Sequence, residues 1–159
     1  MTEKERAPGW VHREVSAFEL AEILSAAMDE AWNARDAAAM AALFEPEADF
    51  TFHNGLHVHG RDAIERFWSD RVFPRTSPSA RHLGKVTGAR FVTEHVAVGT
   101  ADFMIYDATM ANAAVAGRAG GIPEGAVHLR TRALGVAVRR EGVWRYTVVQ
   151  LWVPQGRSA

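Results

Sequence analysis

Residues 32–68 read WNARDAAAMAALFEPEADFTFHNGLHVHGRDAIERFW, and the change of hydrophobic period inside this stretch decides how the chain folds. Asp36 is a good helix N-cap, and Met40, Leu43 and Phe44 have the spacing of a short helix that Pro46 ends. From Ala48 the period becomes two, with Ala48, Phe50, Phe52 and Asn54 on one face of a strand and Asp49, Thr51 and His53 on the other. Asn54-Gly55 predicts a two-residue type I′ hairpin, because both residues tolerate positive φ, and Leu56 to His59 form the returning arm. Gly60 breaks that arm, after which Ile64, Phe67 and Trp68 mark a third helix from about Arg61 to Asp70.

Upstream of this stretch, Ser16 opens S-A-F-E, a capping box in which the Ser16 hydroxyl and the Glu19 carboxylate each satisfy an amide of the first turn. Leu20, Ile23, Leu24, Ala27, Met28, Ala31 and Trp32 then continue one apolar stripe of a helix to about Arg35. Residues 1–15 mix charge with Pro8 and Gly9 and read as a loose leader, with Trp10 able to dock on the body. Downstream, Pro74 to Ser79 is a loop, and four Val- and Thr-rich strands follow at about 82–92, 95–107, 127–140 and 143–153. They turn at Thr93-Glu94 and Glu141-Gly142. Residues 108–126, rich in Ala and Gly, have no apolar face and read as a mobile loop that either covers a pocket mouth or is simply flexible. The expected organisation is therefore one domain over 16–154 with a short tail at 155–159.

A chain of 159 residues with 48% apolar and 23% charged content suits one sizeable core. Its formal net charge of −1 removes the electrostatic footprint of a nucleic-acid binder, although 16 of the 18 basic residues are arginine. No apolar run is long enough to span a bilayer, and the charged N-terminus has no secretory h-region, so the cytoplasm is the default location. With no cysteine, disulfides, thiol nucleophiles and thiolate metal sites are excluded.

Four pieces of the sequence resemble, in order and spacing, the NTF2-like superfamily, and within it the SnoaL-like and SgcJ/EcaC-type (DUF4440-like) small proteins. These are Trp32 to Asp36 leading to Leu43-Phe44, the strand start Ala48-Asp49-Phe50, the helix entry Gly60-Arg61-Asp62-Ala63-Ile64, and the hairpin Arg140-Glu141-Gly142-Val143-Trp144-Arg145. The resemblance implies an α+β cone, in which a curved, mostly antiparallel sheet wraps around three N-terminal helices and leaves an apolar cavity at its wide end. It also implies a small hydrophobic or ring-type ligand, no cofactor, and a homodimer formed through the sheet. In relatives such as ketosteroid isomerase a strand carboxylate acts as base, and a Tyr and a protonated Asp hold the oxyanion. Those positions fall here at Phe52, near Met28, and in a strand, Val127 to Val138, without any carboxylate. The resemblance therefore implies a cup whose isomerase groups are replaced.

Other polar residues become the candidates for acid-base chemistry of the isomerase, cyclase or dehydratase kind. His53 and His128 are candidate proton carriers, since imidazole titrates nearest neutral pH. His57 and His59 have a metal-ligand spacing, but without a third ligand they read as solvated, and no metal is assigned. If the strand face of Arg130 and Arg132 is concave, the two guanidiniums hold a carboxylate or enolate; on the convex face they reach solvent or a dimer partner. Asn54 and Gln150 are candidates to orient an oxygen. Trp32, Phe50, Phe52, Trp68 and Trp152 would wall the cup. A non-catalytic homodimeric binding or association module is the alternative.

Overall fold

The computed structural model describes residues 15–115 and 122–156. The expected leader over 1–14 with Trp10, the middle of the 108–126 segment, and residues 157–159 lie outside the described residues. Three helical elements come first: α1 (Ala17–Asn33), α2 (Ala37–Ala42) and, after the hairpin β1 (Phe44–Thr51) and β2 (His57–His59), α3 (Arg61–Arg66). The last runs on through a π turn at Phe67–Val72 and a 3₁₀ turn at Phe73–Arg75. Then come β3 (Ala80–Thr93), β4 (Val96–Asp107), α4 (Ala108–Val115), β5 (Val127–Arg140) and β6 (Val143–Trp152).

The local signals act as the sequence predicts. Ser16 caps α1 through a full capping box, its hydroxyl accepting from the Glu19 amide at 3.1 Å while the Glu19 carboxylate accepts from the Ser16 amide at 2.8 Å. Asp36 caps α2 by accepting from the Ala39 amide at 2.9 Å. Glu141 and Gly142 both have positive φ, so they close the final hairpin with a tight turn of type I′ character.

All six strands form one sheet in the order β2-β1-β6-β5-β4-β3, antiparallel throughout except that β1 runs parallel to β6. Helix α1 packs into the concave face of this sheet. At one end Trp32, Phe44, Phe50, Ile64, Phe67 and Trp68 form a solid aromatic core, and at the other Leu20 and Leu24 meet Ala97, Ala137 and Trp144. Full burial of each large side chain stabilises the fold by roughly 1.5–3 kcal/mol.

Three expectations are corrected. The strand begins at Phe44, not Ala48, because the chain pairs with Tyr146 of β6 before an irregularity between Phe44 and Asp49 that absorbs Pro46. The Asn54-Gly55 hairpin is not a two-residue turn: only Gly55 has positive φ, the Gly55 amide donates to the Phe52 carbonyl, and the Phe52 amide donates to that of Leu56. That is the geometry of a three-residue loop with glycine in the left-handed position. The 108–126 segment is not a loop from its start, since its alanines, the best helix formers, extend it as α4 to Val115.

Candidate active site

The sheet's inner face is set by alternation along β4 and β5. Phe103 pairs with Thr131 and Ala101 with Ala133, and all four are buried, so the odd-numbered residues of these strands face α1. Many of them are small. Ala21 of α1 and Ala89, Ala97, Gly99, Ala101 and Gly135 of the sheet line the space between them, and side chains this short cannot close the gap between helix and sheet. A half-open cavity of about 40 Å³ remains. It runs beside α1 from Ala17 to Met28, and a shallow depression of about 210 Å³ at Gly88 to Arg90 shares Ala89, Val98, Gly99 and Thr100 with it. The depression sits beside the bulge at Val86 to Gly88, where β3 slips against β4.

At the Met28 end, α1 is fastened to β3 by a row of polar side chains four residues apart. Asn33 brackets the backbone of His82, accepting from its amide at 2.8 Å and donating to its carbonyl at 3.0 Å. Asp29 lies 2.6 Å through Oδ1 from His82 Nδ1, and its Oδ2 accepts from the Gly84 amide at 2.9 Å. The pair is nearly enclosed, with His82 10% and Asp29 17% exposed. The imidazole stacks on Trp32 at 5.3 Å and on Phe103 at 4.8 Å, both within 30° of parallel. Phe103 belongs to both places: it stacks on His82 and lines the cavity. Ser25, next in the polar row, is 5% exposed, and its hydroxyl has no partner among the described residues. It approaches so closely that a Cβ on Gly84 would lie 2.5 Å from both Ser25 Oγ and Phe103 Cε1, so only glycine fits there.

Tyr146 of β6 lines the same cavity. Burial, and secondarily the Asp29 charge, push its phenol above its ordinary range, which keeps it a neutral hydrogen-bond donor at physiological pH. With an aspartate accepting from Nδ1–H, the neutral imidazole keeps its lone pair on Nε2, the arrangement of a general base.

None of the candidate catalytic or ligand-binding residues named from sequence lines this cavity. His128, Arg130 and Arg132 are exposed because even positions of β5 face outward. There Arg132 pairs bidentately with Asp102 of β4 at 2.6 and 3.1 Å, the convex alternative, so these three are corrected as site groups. Gln150 and Trp152 lie exposed on β6 by the same parity, opposite buried Val149. Asn54 is an exposed loop residue whose side chain accepts from the Leu56 amide at 3.0 Å. His53 packs on Phe52 at 4.1 Å in that loop, where burial pulls its pKa down, but it does not reach the cavity. Trp32, Phe50 and Trp68 are buried and Phe52 half-buried; they fill the aromatic end, and of the four only Trp32 touches His82.

Not singled out from sequence were Ser25 and Tyr146, which line the cavity, and the Asp29–His82 pair, which adjoins it through Phe103. A signal existed for Ser25 and Asp29, since Ser25, Asp29 and Asn33 recur every four residues beside the apolar stripe. His57 and His59 both contact Asp49, at 2.8 and 3.0 Å, on the exposed β1–β2 edge. Among the described residues no group of three or more His, Cys, Asp or Glu could hold a metal ion, and no helix is long and apolar enough to cross a membrane.

Comparison with known proteins agrees with this architecture. A domain of unknown function with a cystatin-like fold from Nostoc punctiforme superposes with a TM-score of 0.71 at 22% identity, over 91% of this chain and 82% of that one. An NTF2-like protein from Novosphingobium aromaticivorans gives 0.64 at 16% identity, over 85% and 80%. The hexachlorocyclohexane dehydrochlorinase of Novosphingobium barchaimii gives 0.63 at 18% identity, over 83% and 82%. No curated protein matches by sequence. The SnoaL-like domain matches residues 25–150, which include the helical row, the cavity strands and Tyr146, and the chain therefore belongs to the SnoaL-like family of the NTF2-like superfamily.

Proposed function

We propose that this protein binds a small, mostly apolar molecule between α1 and the sheet and moves a proton on it, with His82 as the proton carrier. The reaction class is isomerisation, cyclisation or elimination of the dehydratase kind. The observation that carries this reading is the 2.6 Å contact of His82 Nδ1 with Asp29, in an enclosed setting next to an apolar cavity. Asp29, itself fixed by the Gly84 amide, holds the imidazole in one tautomer, and the Trp32 and Phe103 rings hold its plane. A base so positioned contributes roughly 10²- to 10⁴-fold to rate. The similar fold of a dehydrochlorinase supports the reading, because loss of hydrogen chloride also removes a proton.

The test is ¹⁵N-histidine NMR during titration with 2-heptanone. His82 signals shift on binding while those of His53 and His128 stay in place; shifts confined to the latter two, or none, reject the assignment. The alternative reading is a non-catalytic homodimer associated through the outer sheet face, where Leu83, Leu134, Val148 and Trp152 are exposed. A dimer in light scattering that neither binds the ketone nor changes it would favour that reading.

A further inference from the structure

The cavity's own lining carries information about its ligand. Its described residues include no charged side chain, and only Ser25, Thr100 and Tyr146 bring hydroxyls. The Thr100 hydroxyl is already bonded to that of Thr87 at 2.8 Å, which leaves Ser25 and Tyr146. Ser25 is the more telling, because a buried hydroxyl without a partner is costly and native interiors seldom keep one. Its place in the row explains why it is unpartnered: Asn33 and Asp29 engage β3, whereas Ser25 meets Gly84, whose amide already donates to Asp29. The hydroxyl is thus held at the cavity wall with its bonding capacity unspent.

Shape adds a second constraint. From Ala17 to Met28 the cavity follows α1 for roughly 16 Å at 1.5 Å per residue. The lining leaves a long, half-open slot, which suits an extended chain better than the compact rings expected from sequence resemblance.

On the reading of this slot as a ligand site, we infer that its ligand is a neutral, unbranched aliphatic carbonyl compound, with its oxygen held between the Ser25 and Tyr146 hydroxyls and its tail lying along α1 toward Ala17. A carboxylate or phosphate is disfavoured, since such an anion would enter without a cationic partner and beside the Asp29 charge. The carbonyl oxygen supplies the acceptor that the Ser25 hydroxyl lacks. Held there, it places the adjoining carbon at the Phe103 end, the end nearest His82.

Three probes of similar length separate the possibilities: 2-heptanone, heptanoate and 1-chlorohexane, each titrated into the full chain by NMR. The expected order is the ketone first, the chloroalkane roughly fivefold or more weaker, and heptanoate weakest. Ser25→Ala and Tyr146→Phe each reduce the ketone's advantage over the chloroalkane by roughly fivefold and leave chloroalkane affinity unchanged, which also shows that the variants are folded. Isotope-edited infrared spectra of ¹³C-carbonyl ketone should show a lowered carbonyl stretch that rises in both variants. If ketone and chloroalkane bind equally, if the preference survives both substitutions, or if heptanoate binds best, the inference is overturned while the ligand site stands. If none of the three binds, the site reading falls with it.

Discussion

Replacing Asp29 by asparagine should change the chemistry of His82 far more than it changes stability. Asp29 now accepts two hydrogen bonds, from His82 Nδ1 at 2.6 Å and from the Gly84 amide at 2.9 Å. Asparagine keeps one acceptor and turns the other into a donor. The Gly84 amide can only donate, so it takes the remaining oxygen, and the new NH₂ group faces His82 Nδ1. The imidazole can switch roles: it becomes the acceptor there and carries its proton on Nε2. Asp29→Asn therefore costs about 1 kcal/mol, the difference between a charge-assisted and a neutral bond, or a Tm loss of roughly 2–4 °C. Any activity that uses Nε2 as base falls roughly 10²-fold or more. Asp29→Ala strands both donors at roughly 1–3 kcal/mol each, about 4 kcal/mol together, lowering Tm by roughly 8–16 °C. The ¹⁵N shifts of His82 report the tautomer directly, and calorimetry gives Tm. An Asp29→Asn variant whose imidazole keeps its proton on Nδ1, or an Asp29→Ala variant that melts with the parent protein, refutes this account of the pair.

Gly84→Ala forces a Cβ to 2.5 Å from Ser25 Oγ and Phe103 Cε1, so overpacking should cost roughly 1–3 kcal/mol, read as a lower denaturation midpoint; an unchanged midpoint would show that the contact yields freely. Phe103→Ala removes the ring shared by cavity and imidazole, destabilising by roughly 3–5 kcal/mol while admitting bulkier ketones; unchanged size selectivity in NMR titrations counts against that role. His59 titrates above its ordinary value because it hydrogen-bonds first Asp49 and then Glu47, whereas Asp49 is held below the carboxylate range by His59 and His57. The raised His59 pKa stabilises the β1–β2 edge below the unfolded histidine value, an effect lost as pH rises through the folded pKa. The lowered Asp49 pKa stabilises it above the unfolded aspartate value, an effect lost as pH falls through the folded one. Asp49→Asn should thus move the His59 NMR midpoint down, and an unmoved midpoint rejects the coupling. Arg132→Ala and Gln150→Ala, both on the outer face, should leave ketone binding unchanged; a several-fold loss would put that face in the site.

Much of the fold was legible because its signals are local. The Ser16 capping box, the Asp36 cap and the Glu141-Gly142 turn each state their geometry within a few residues. The Asn54-Gly55 loop shows the limit, since which of two glycine-bearing turns forms depends on how β1 pairs beyond it. The site was much less legible. Its central pair joins Asp29 to His82 across 53 positions of sequence, and nothing local marks His82, which looks like any residue at a strand start. The parity of β5 was open from sequence, because alanines and glycines face the cavity while Leu134 faces out, the reverse of the usual apolar-in pattern. An interior lined with small residues to leave space carries a weak hydrophobic signal, and the histidines and arginines that drew attention were on the outside for the ordinary reason that charge prefers water. The every-fourth-residue row Ser25, Asp29, Asn33, which adjoins the buried stripe of α1, is the one local trace of the site.

Proton transfer by His82, oriented by Asp29, should be visible as deuterium exchange of a ketone bound at this cavity. 2-Heptanone in D₂O at neutral pH exchanges its α-hydrogens slowly, and mass spectrometry follows the uptake. The protein should accelerate exchange, His82→Gln and Asp29→Asn should abolish the acceleration, and His53→Gln and His128→Gln should retain it. Bound ketone with no acceleration, or acceleration that survives in His82→Gln, would overturn the assignment of His82 as proton carrier.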